Sequence, residues 1–421
     1  MTTTVRVDNN SDWENNNRPD KNFNARTIGP LSGSFQPEDL NSVSRSASFD
    51  VTVALQNGDV VTFTTDQKQA WRLAQYQARK LTLGGPQADS YTASWVTLTN
   101  KTLAISISPR RDPATWMASV PDDTLLSQLT IPGTHDSASL FENGFSAGFA
   151  KTQDLDLAGQ LNLGVRFFDI RLNKNLDVYH GPVFQHLTFS QVISTCADFL
   201  QINPGETILM LINASDPKDN NKNPDAFARA VRNAMNGGLW ALGTRVPTLG
   251  NVRGKIQLLR RYPAGSTAPV GINLTDWPEN TGYALKKNSD GVSYAVQDHW
   301  QCCASEGGKA DKRREIQTLF DNANQTAKAS PATLFFNFTS ASRFPLLNPR
   351  GNAEYLNPFT LGMLVESPAR TRGGIFAIDF VEWAQPKISP DLNDQQALVQ
   401  QIISYNPDDG SGAGSVEPGP N

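Results

Sequence analysis

The chain has 421 residues, 38% of them hydrophobic and 19% charged, which is long enough for two buried cores and too apolar for a disordered polymer. Its formal charge of −4 offers no general attraction to nucleic acid or to an anionic bilayer, so any lipid contact has to be local. No apolar run approaches the roughly 18 residues of a spanning helix, and the first ten residues lack a leader's apolar core, which favours a cytoplasmic location.

The first hundred or so residues show period-two alternation in short runs, at 47–55, 60–65 and 103–108, around turn signals such as Asn57-Gly58. Only 67–81 has helical spacing. The expectation is a small β-sandwich-like domain over 1–110, then a linker rich in Pro and charge over 111–123. From Thr124 onward, short apolar strands alternate with longer amphipathic stretches. Strands are expected at 126–131, 165–172, 177–180, 206–212, 255–260, 293–297, 333–338 and 374–381, with helices at 190–201, 226–235 and 312–326 among them. This is the pattern of an α/β TIM-type (β/α)8 barrel, placed over 124–405. An open doubly wound sheet permits the same alternation. Polar residues cluster where the strands end, as at the mouth of a barrel, and this favours the barrel. The Gly-, Ser- and Pro-rich end, 406–421, reads as a disordered tail. Three cysteines, with Cys302 and Cys303 adjacent, read as free thiols in a reducing compartment.

The chain has four histidines, and two have informative settings. His135 closes the first barrel strand in Ile131-Pro-Gly-Thr-His-Asp-Ser137, and His180 closes a strand in Asp177-Val-Tyr-His-Gly-Pro182. A lone histidine is more often structural, but two at strand ends followed by tight turns point to a pocket. Between them, Asp169 and Arg171 lie two apart in a strand and leave it on the same face. Such a pair can be a structural ion pair, or Arg171 can present its planar fork of donors to a phosphate. Asp379 is the lone charge in Gly374-Ile-Phe-Ala-Ile-Asp-Phe-Val381, and a buried acid there needs a partner. In a closed barrel His135 is the neighbour that can supply it.

These motifs, with Pro204-Gly-Glu-Thr-Ile-Leu-Met210 and Arg253-Gly-Lys-Ile-Gln-Leu-Leu-Arg260, resemble the catalytic domain of phosphatidylinositol-specific phospholipase C over roughly residues 113–390. The bacterial and fungal type is closer than the animal signalling enzymes. The resemblance implies an enzyme that releases diacylglycerol and inositol 1,2-cyclic phosphate. It implies His135 as general base, Asp379 as its orienting acid and Arg171 as the clamp on a phosphate oxygen. His180 with Asp136 would be the general acid, and Asp169 a brace. It implies no metal and no cofactor, because Arg171 stands where the animal enzymes carry a calcium-binding acid. Asp298 and Trp300 resemble residues that bind the inositol ring, and Arg260 or Arg261 would contact its hydroxyls. The chain reads Ile212-Asn-Ala-Ser215 where the bacterial pattern has a lysine.

A lipid substrate calls for a membrane-facing surface. Phe141, Phe145 and Phe149 are spaced four apart, which on a helix forms one apolar face suited to dipping into a bilayer, or to covering the barrel's own mouth. The expected partners are phosphatidylinositol or a glycosylphosphatidylinositol-type lipid and, transiently, a membrane surface, with no nucleic acid. Two alternatives stay open. One is a barrel phosphodiesterase acting on a glycerophosphodiester or lysolipid. The other is a catalytically silent lipid- or carbohydrate-binding protein.

Overall fold

The computed structural model describes residues 3–9, 23–28, 48–54, 60–67, 78–84, 88–99 and 102–407, except 145, 147, 216–222, 236, 267, 368–370 and 383–396. By their contacts the residues form two units. One comprises 1–111 with 354–370 and 382–404, the other 112–353 with 371–381 and the chain from Tyr405.

The described residues of the first unit include seven strands. They are β1 (Thr3–Asn9), β2 (Phe23–Ile28), β3 (Ser48–Ala54), β4 (Val60–Gln67), β5 (Ala78–Gly84), β6 (Tyr91–Thr99) and β7 (Thr102–Pro109). They form two antiparallel sheets, ordered β2–β1–β7–β6 and β3–β4–β5. The alternating runs at 47–55, 60–65 and 103–108 are therefore strands β3, β4 and β7. The helix expected over 67–81 is not formed at either end, because Gln67 pairs with Ala78 in the β4–β5 hairpin. Residues 68–77 and the Asn57-Gly58 turn lie outside the described residues.

The second unit is a TIM-type barrel. Its strands, in chain order, are β8 (Thr130–Thr134), β9 (Phe167–Leu172), β10 (Asp177–His180), β11 (Val183–Thr188), β12 (Ile208–Ala214), β13 (Trp240–Ala241), β14 (Ile256–Arg261), β15 (Ile272–Asn273), β16 (Ala284–Lys287), β17 (Ser293–Gln297), β18 (Leu334–Phe338) and β19 (Gly374–Ile378). Parallel pairing runs β14–β12–β9–β8–β19–β18–β17, and β15 adds in parallel to the free edge of β14. Among the described residues no pairing joins β15 to β17, so the sheet curls into a barrel with one open seam. Helices α1 (Leu157–Leu163), α2 (Phe189–Ile202), α3 (Pro224–Ala234) and α4 (Glu306–Gln325) follow strands of this sheet, and α5 (Pro349–Glu366) follows β18. No described helix is long and apolar enough to cross a membrane.

The segment 177–180 is not a barrel strand. It folds back antiparallel onto β11 in a hairpin and pairs with β9 only at Val178 and Leu172, antiparallel to it. A four-residue hairpin arm and a barrel strand alternate alike, so sequence periodicity cannot separate them. The eighth barrel strand is β15, whose two residues are too few to show a period.

Aromatic rings fill the barrel. Phe167 meets Phe336 at 6.0 Å and Phe338 at 6.5 Å between centroids, and Trp277 meets Phe336 at 5.3 Å and Phe338 at 5.6 Å. Gly133 is required by this packing, because a Cβ there would lie 2.7 Å from Phe167 Cβ and 2.9 Å from the Phe376 carbonyl oxygen.

Three sequence expectations change here. The segment 111–123 folds onto the barrel, with Trp116 buried and its indole N–H donating to the Gly164 carbonyl at 3.0 Å. Asn406, placed in the tail, is buried and clasps Thr130 from both sides at 2.8 Å, although 408–421 lie outside the described residues. Cys302 and Cys303 are joined in a vicinal disulfide, leaving Cys196 as the free and buried thiol. The thiol argument for a reducing compartment falls with that pair.

Candidate active site

The ends of β8, β9 and β19 lie side by side, because β8 pairs with both of the others. His135 follows β8 directly, Asp379 follows β19, and Asp169 and Arg171 stand on β9. Register thus places four sequence-predicted residues in one cluster, and the β10–β11 turn brings His180 to it. Gly181, at φ 52, makes that turn possible.

His135 Nδ1 lies 2.8 Å from Asp379 Oδ1, and its Nε2 lies 2.9 Å from an Arg171 NH2 group. A guanidinium only donates, so Nε2 accepts and Nδ1 carries the proton given to Asp379. In this tautomer the Nε2 lone pair, the basic site of the ring, is turned to Arg171. Burial alone would push its pKa down. The charge and hydrogen bond of Asp379, helped by Asp136 and opposed by Arg171, outweigh burial and raise it above the usual histidine value. Burial raises the pKa of Asp379, against the pull of His135.

Arg171 is bound by two acids, with Nε 2.9 Å from Asp136 Oδ1 and NH2 3.1 Å from Asp169 Oδ2. Burial would lower its pKa, but Asp136, Asp169 and Asp298 raise it, so the cation is permanent. Asp169 is held below the usual carboxylate value: burial pushes it up, but Arg171, His135 and Arg261 pull harder. Asp136 also reaches across to His180, whose Nε2 lies 3.3 Å from Oδ2, while His180 Nδ1 meets the Ala150 carbonyl at 3.0 Å. Both His180 nitrogens thus face acceptors, an arrangement in which the ring serves as a proton donor. The two imidazoles stand 6.4 Å apart and edge-on. The acids are sealed beneath, with Asp136 and Asp379 side chains 1% exposed, while those of His135, His180 and Arg171 show 13%, 19% and 21%.

The strand ends are tied by residues that the sequence did not single out. Gln153 Nε2 donates to the carbonyls of His135 at 3.0 Å and Ile378 at 2.8 Å. Thr152 accepts from Phe380 N–H and donates its hydroxyl to the Asp136 carbonyl at 2.9 Å. These bonds hold Asp136 at φ 42 and Phe380 at φ 46, left-handed conformations that cost free energy and aim the neighbouring His135 and Asp379. Neither residue carries a motif or a periodicity that would have revealed it.

Of Arg260 and Arg261, it is Arg261 that faces the acids of the cluster. Its guanidinium lies over the Trp277 ring at 4.6 Å, pairs with Glu279, and acts on both Asp169 and Asp298. Arg260 points the other way and donates to the carbonyls of Val270 at 3.2 Å and Tyr262 at 2.7 Å. Asp298 is buried and accepts from Trp277 Nε1 at 2.8 Å. Burial raises its pKa against the pull of Arg261, Trp277 and Lys312. Trp300 stands at the rim, 37% exposed.

The described residues of 141–149 include turns and no helix, so Phe141 and Phe149 share no helical face. Phe141 stacks on His186 at 4.5 Å and Phe149 on Phe344 at 5.1 Å, while Phe145 lies outside the described residues. Among the described residues no group of three or more His, Cys, Asp or Glu is arranged to hold a metal ion.

Residues 129–262 match the family profile described as "Phosphatidylinositol-specific phospholipase C, X domain". The 1-phosphatidylinositol phosphodiesterase of Listeria monocytogenes is 32% identical over 298 residues, covering 67% of this chain and 84% of that protein. Its Staphylococcus aureus counterpart is 28% identical over 319 residues, 72% of this chain and 96% of that protein. A double-mutant structure of the S. aureus phosphatidylinositol-specific phospholipase C superposes with a TM-score of 0.59 at 26% identity, over 70% of this chain and 97% of that one. The L. monocytogenes structure gives 0.53 at 28% identity, over 70% and 100%.

Proposed function

The chain belongs to the phosphatidylinositol-specific phospholipase C family, and we propose that it cleaves phosphatidylinositol to diacylglycerol and inositol 1,2-cyclic phosphate without a metal ion. The observation that carries this reading is a cation, Arg171, set between an Asp379-backed histidine and a second histidine. His135 Nε2 takes the proton of the inositol 2-hydroxyl, whose oxygen attacks phosphorus. Arg171 turns its N–H groups to a non-bridging oxygen as charge builds there, the role a divalent cation would otherwise fill. The bond from phosphorus to the glycerol oxygen breaks, and His180, steadied by Asp136, protonates the departing oxygen. The nucleophile belongs to the substrate, so positioning supplies much of the acceleration.

Arg261, Asp298 and Trp300 would hold the inositol ring. Glycosylphosphatidylinositol carries the same diester and would follow the same steps if its glycan clears the Trp300 rim. Offering both lipids to the enzyme decides that point. The test of the reaction is release of cyclic phosphate from phosphatidylinositol in mixed micelles with excess EDTA. Cleavage survives chelation, and His135→Ala lowers kcat by about a thousandfold. The base acts when neutral and its pKa is raised, so activity is lost as pH falls through a value above the ordinary histidine one. Loss of activity to EDTA with recovery on calcium would sink the metal-free mechanism.

For the membrane, the supporting feature is an apolar rim in which Phe149 packs on Phe344 beside Leu346, with Phe344 71% and Leu346 69% exposed. We propose that this rim, with Phe141, rests transiently on the bilayer. Phe344→Ser with Leu346→Ser is expected to weaken vesicle binding about tenfold or more, and unchanged binding would refute it.

A further inference from the structure

Helix α4 runs Glu306–Gln325 and is dense with charge, yet Lys312 lies on its buried face with Ile316, Leu319, Phe320 and Ala323. Lys312 is fully buried. An ammonium in that position is costly unless it is hydrogen-bonded and faced by negative charge. Both conditions are met. Its Nζ donates to the His299 carbonyl at 3.0 Å and reaches Gln297 Oε1 at 3.4 Å, so it grips the chain on both sides of Asp298. The charged groups acting on it are Asp298, Glu315 and Asp379, and Glu315 in turn holds the His299 ring at 3.0 Å. The reaction above makes no use of Lys312, and the residue has no exposed surface from which to touch substrate.

We propose that Lys312 is a positioning residue: from behind the β17 end it fixes Asp298 and Trp300 in the arrangement that binds the inositol phosphate headgroup. The inference rests on the headgroup reading of that site. The same contact makes binding sensitive to base. Burial draws the Lys312 ammonium down to about 8, against the three acids that would keep it charged. As pH rises through that value, the charge that steadies Asp298 and the His299 carbonyl is lost.

Calorimetric titration with myo-inositol 1-phosphate on either side of pH 8, using wild type and Lys312→Met, tests this. Wild type is expected to bind about tenfold more weakly on the alkaline side, the loss of one charge-assisted hydrogen bond. Lys312→Met is expected to bind as weakly on both sides, with no step. In turnover of phosphatidylinositol the variant should raise KM by a similar factor and leave kcat within about threefold. Wild-type affinity that stays level through pH 8 overturns the proposal, as does a folded Lys312→Met that binds like wild type. Should that variant fail to fold, the wild-type step alone decides. A wild type that shows the step but cleaves no phosphatidylinositol overturns the proposed reaction and leaves the role of Lys312 standing.

Discussion

Arg166, just before β9, and Arg171, near its far end, lie five residues apart, each beside a buried carboxylate, and they do different work. Arg166 is fully buried. It bonds Glu206 through Nε at 2.8 Å, the Leu161 and Val165 carbonyls through NH1, and the Pro113 and Ala114 carbonyls through NH2. Its remaining face covers the Phe199 ring at 4.5 Å. Glu206 is completed by the Met117 and Ala118 N–H groups. Burial draws this guanidinium below its usual value even with Glu206 beside it. At Arg171 burial pulls the same way, but the acids around it win. There the geometry is also unfinished. Arg171 Nε, Asp136 Oδ2 and Asp169 Oδ1 have close neighbours but no aligned hydrogen bond among the described residues. A closed set of bonds locks the barrel's base; at the mouth the Arg171 side chain stays 21% exposed, so the cation remains open to an incoming anion.

The sharpest way to break this comparison is to keep both charges and remove both forks. Arg171→Lys should lower kcat by a hundredfold to a thousandfold, about the loss of one preorganised transition-state donor set. Its melting temperature should barely move. Arg166→Lys should do the reverse, costing about 3 kcal/mol of stability as several buried carbonyls lose their donors. The folded fraction should turn over at the wild-type rate. Paired melting curves and kinetics check both. If Arg171→Lys kept its rate, the open bonding at the mouth would have no functional meaning.

Which of these features could be read without coordinates follows from the length scale of the pattern that carries them. His135, Asp169, Arg171, His180 and Asp379 sit in short motifs at strand ends; strand pairing brings four together and the β10–β11 turn adds His180. Asp136 joins them because it follows His135 in a left-handed turn. Gln153 acts through two backbone carbonyls, an interaction that leaves no trace in residue type. Lys312 was hidden by its own surroundings, since a run of alternating charge reads as a solvated face. Only its spacing of four, seven, eight and eleven from Ile316, Leu319, Phe320 and Ala323 marks it as buried. The apolar face that a helix over 141–149 would have made is absent for a related reason. A spacing of four is necessary for a helical face but does not make a helix, and here Asn143 and Ser146 form a turn instead. The hairpin at β10 and the two-residue β15 show the limit at the other extreme, where elements are shorter than their own period.

A second adjacent pair tests the same contrast at smaller cost. Arg260 and Arg261 are consecutive on β14, so the pleat sends them to opposite faces of the sheet. Arg261 goes to the mouth, over Trp277 and near Asp298; Arg260 goes outward and holds the Val270 and Tyr262 carbonyls. Arg261→Ala should raise KM about tenfold with little change in stability, since it removes the proposed headgroup contact and leaves Glu279 in solvent. Arg260→Ala should leave KM alone and cost about 1–2 kcal/mol, because one buried and one half-buried carbonyl lose a charged donor. Steady-state kinetics and thermal melts on the two variants separate the effects. Equal KM shifts would mean that the end of β14 acts as one mobile piece. In that case the alternation of the strand would not be what divides binding from support.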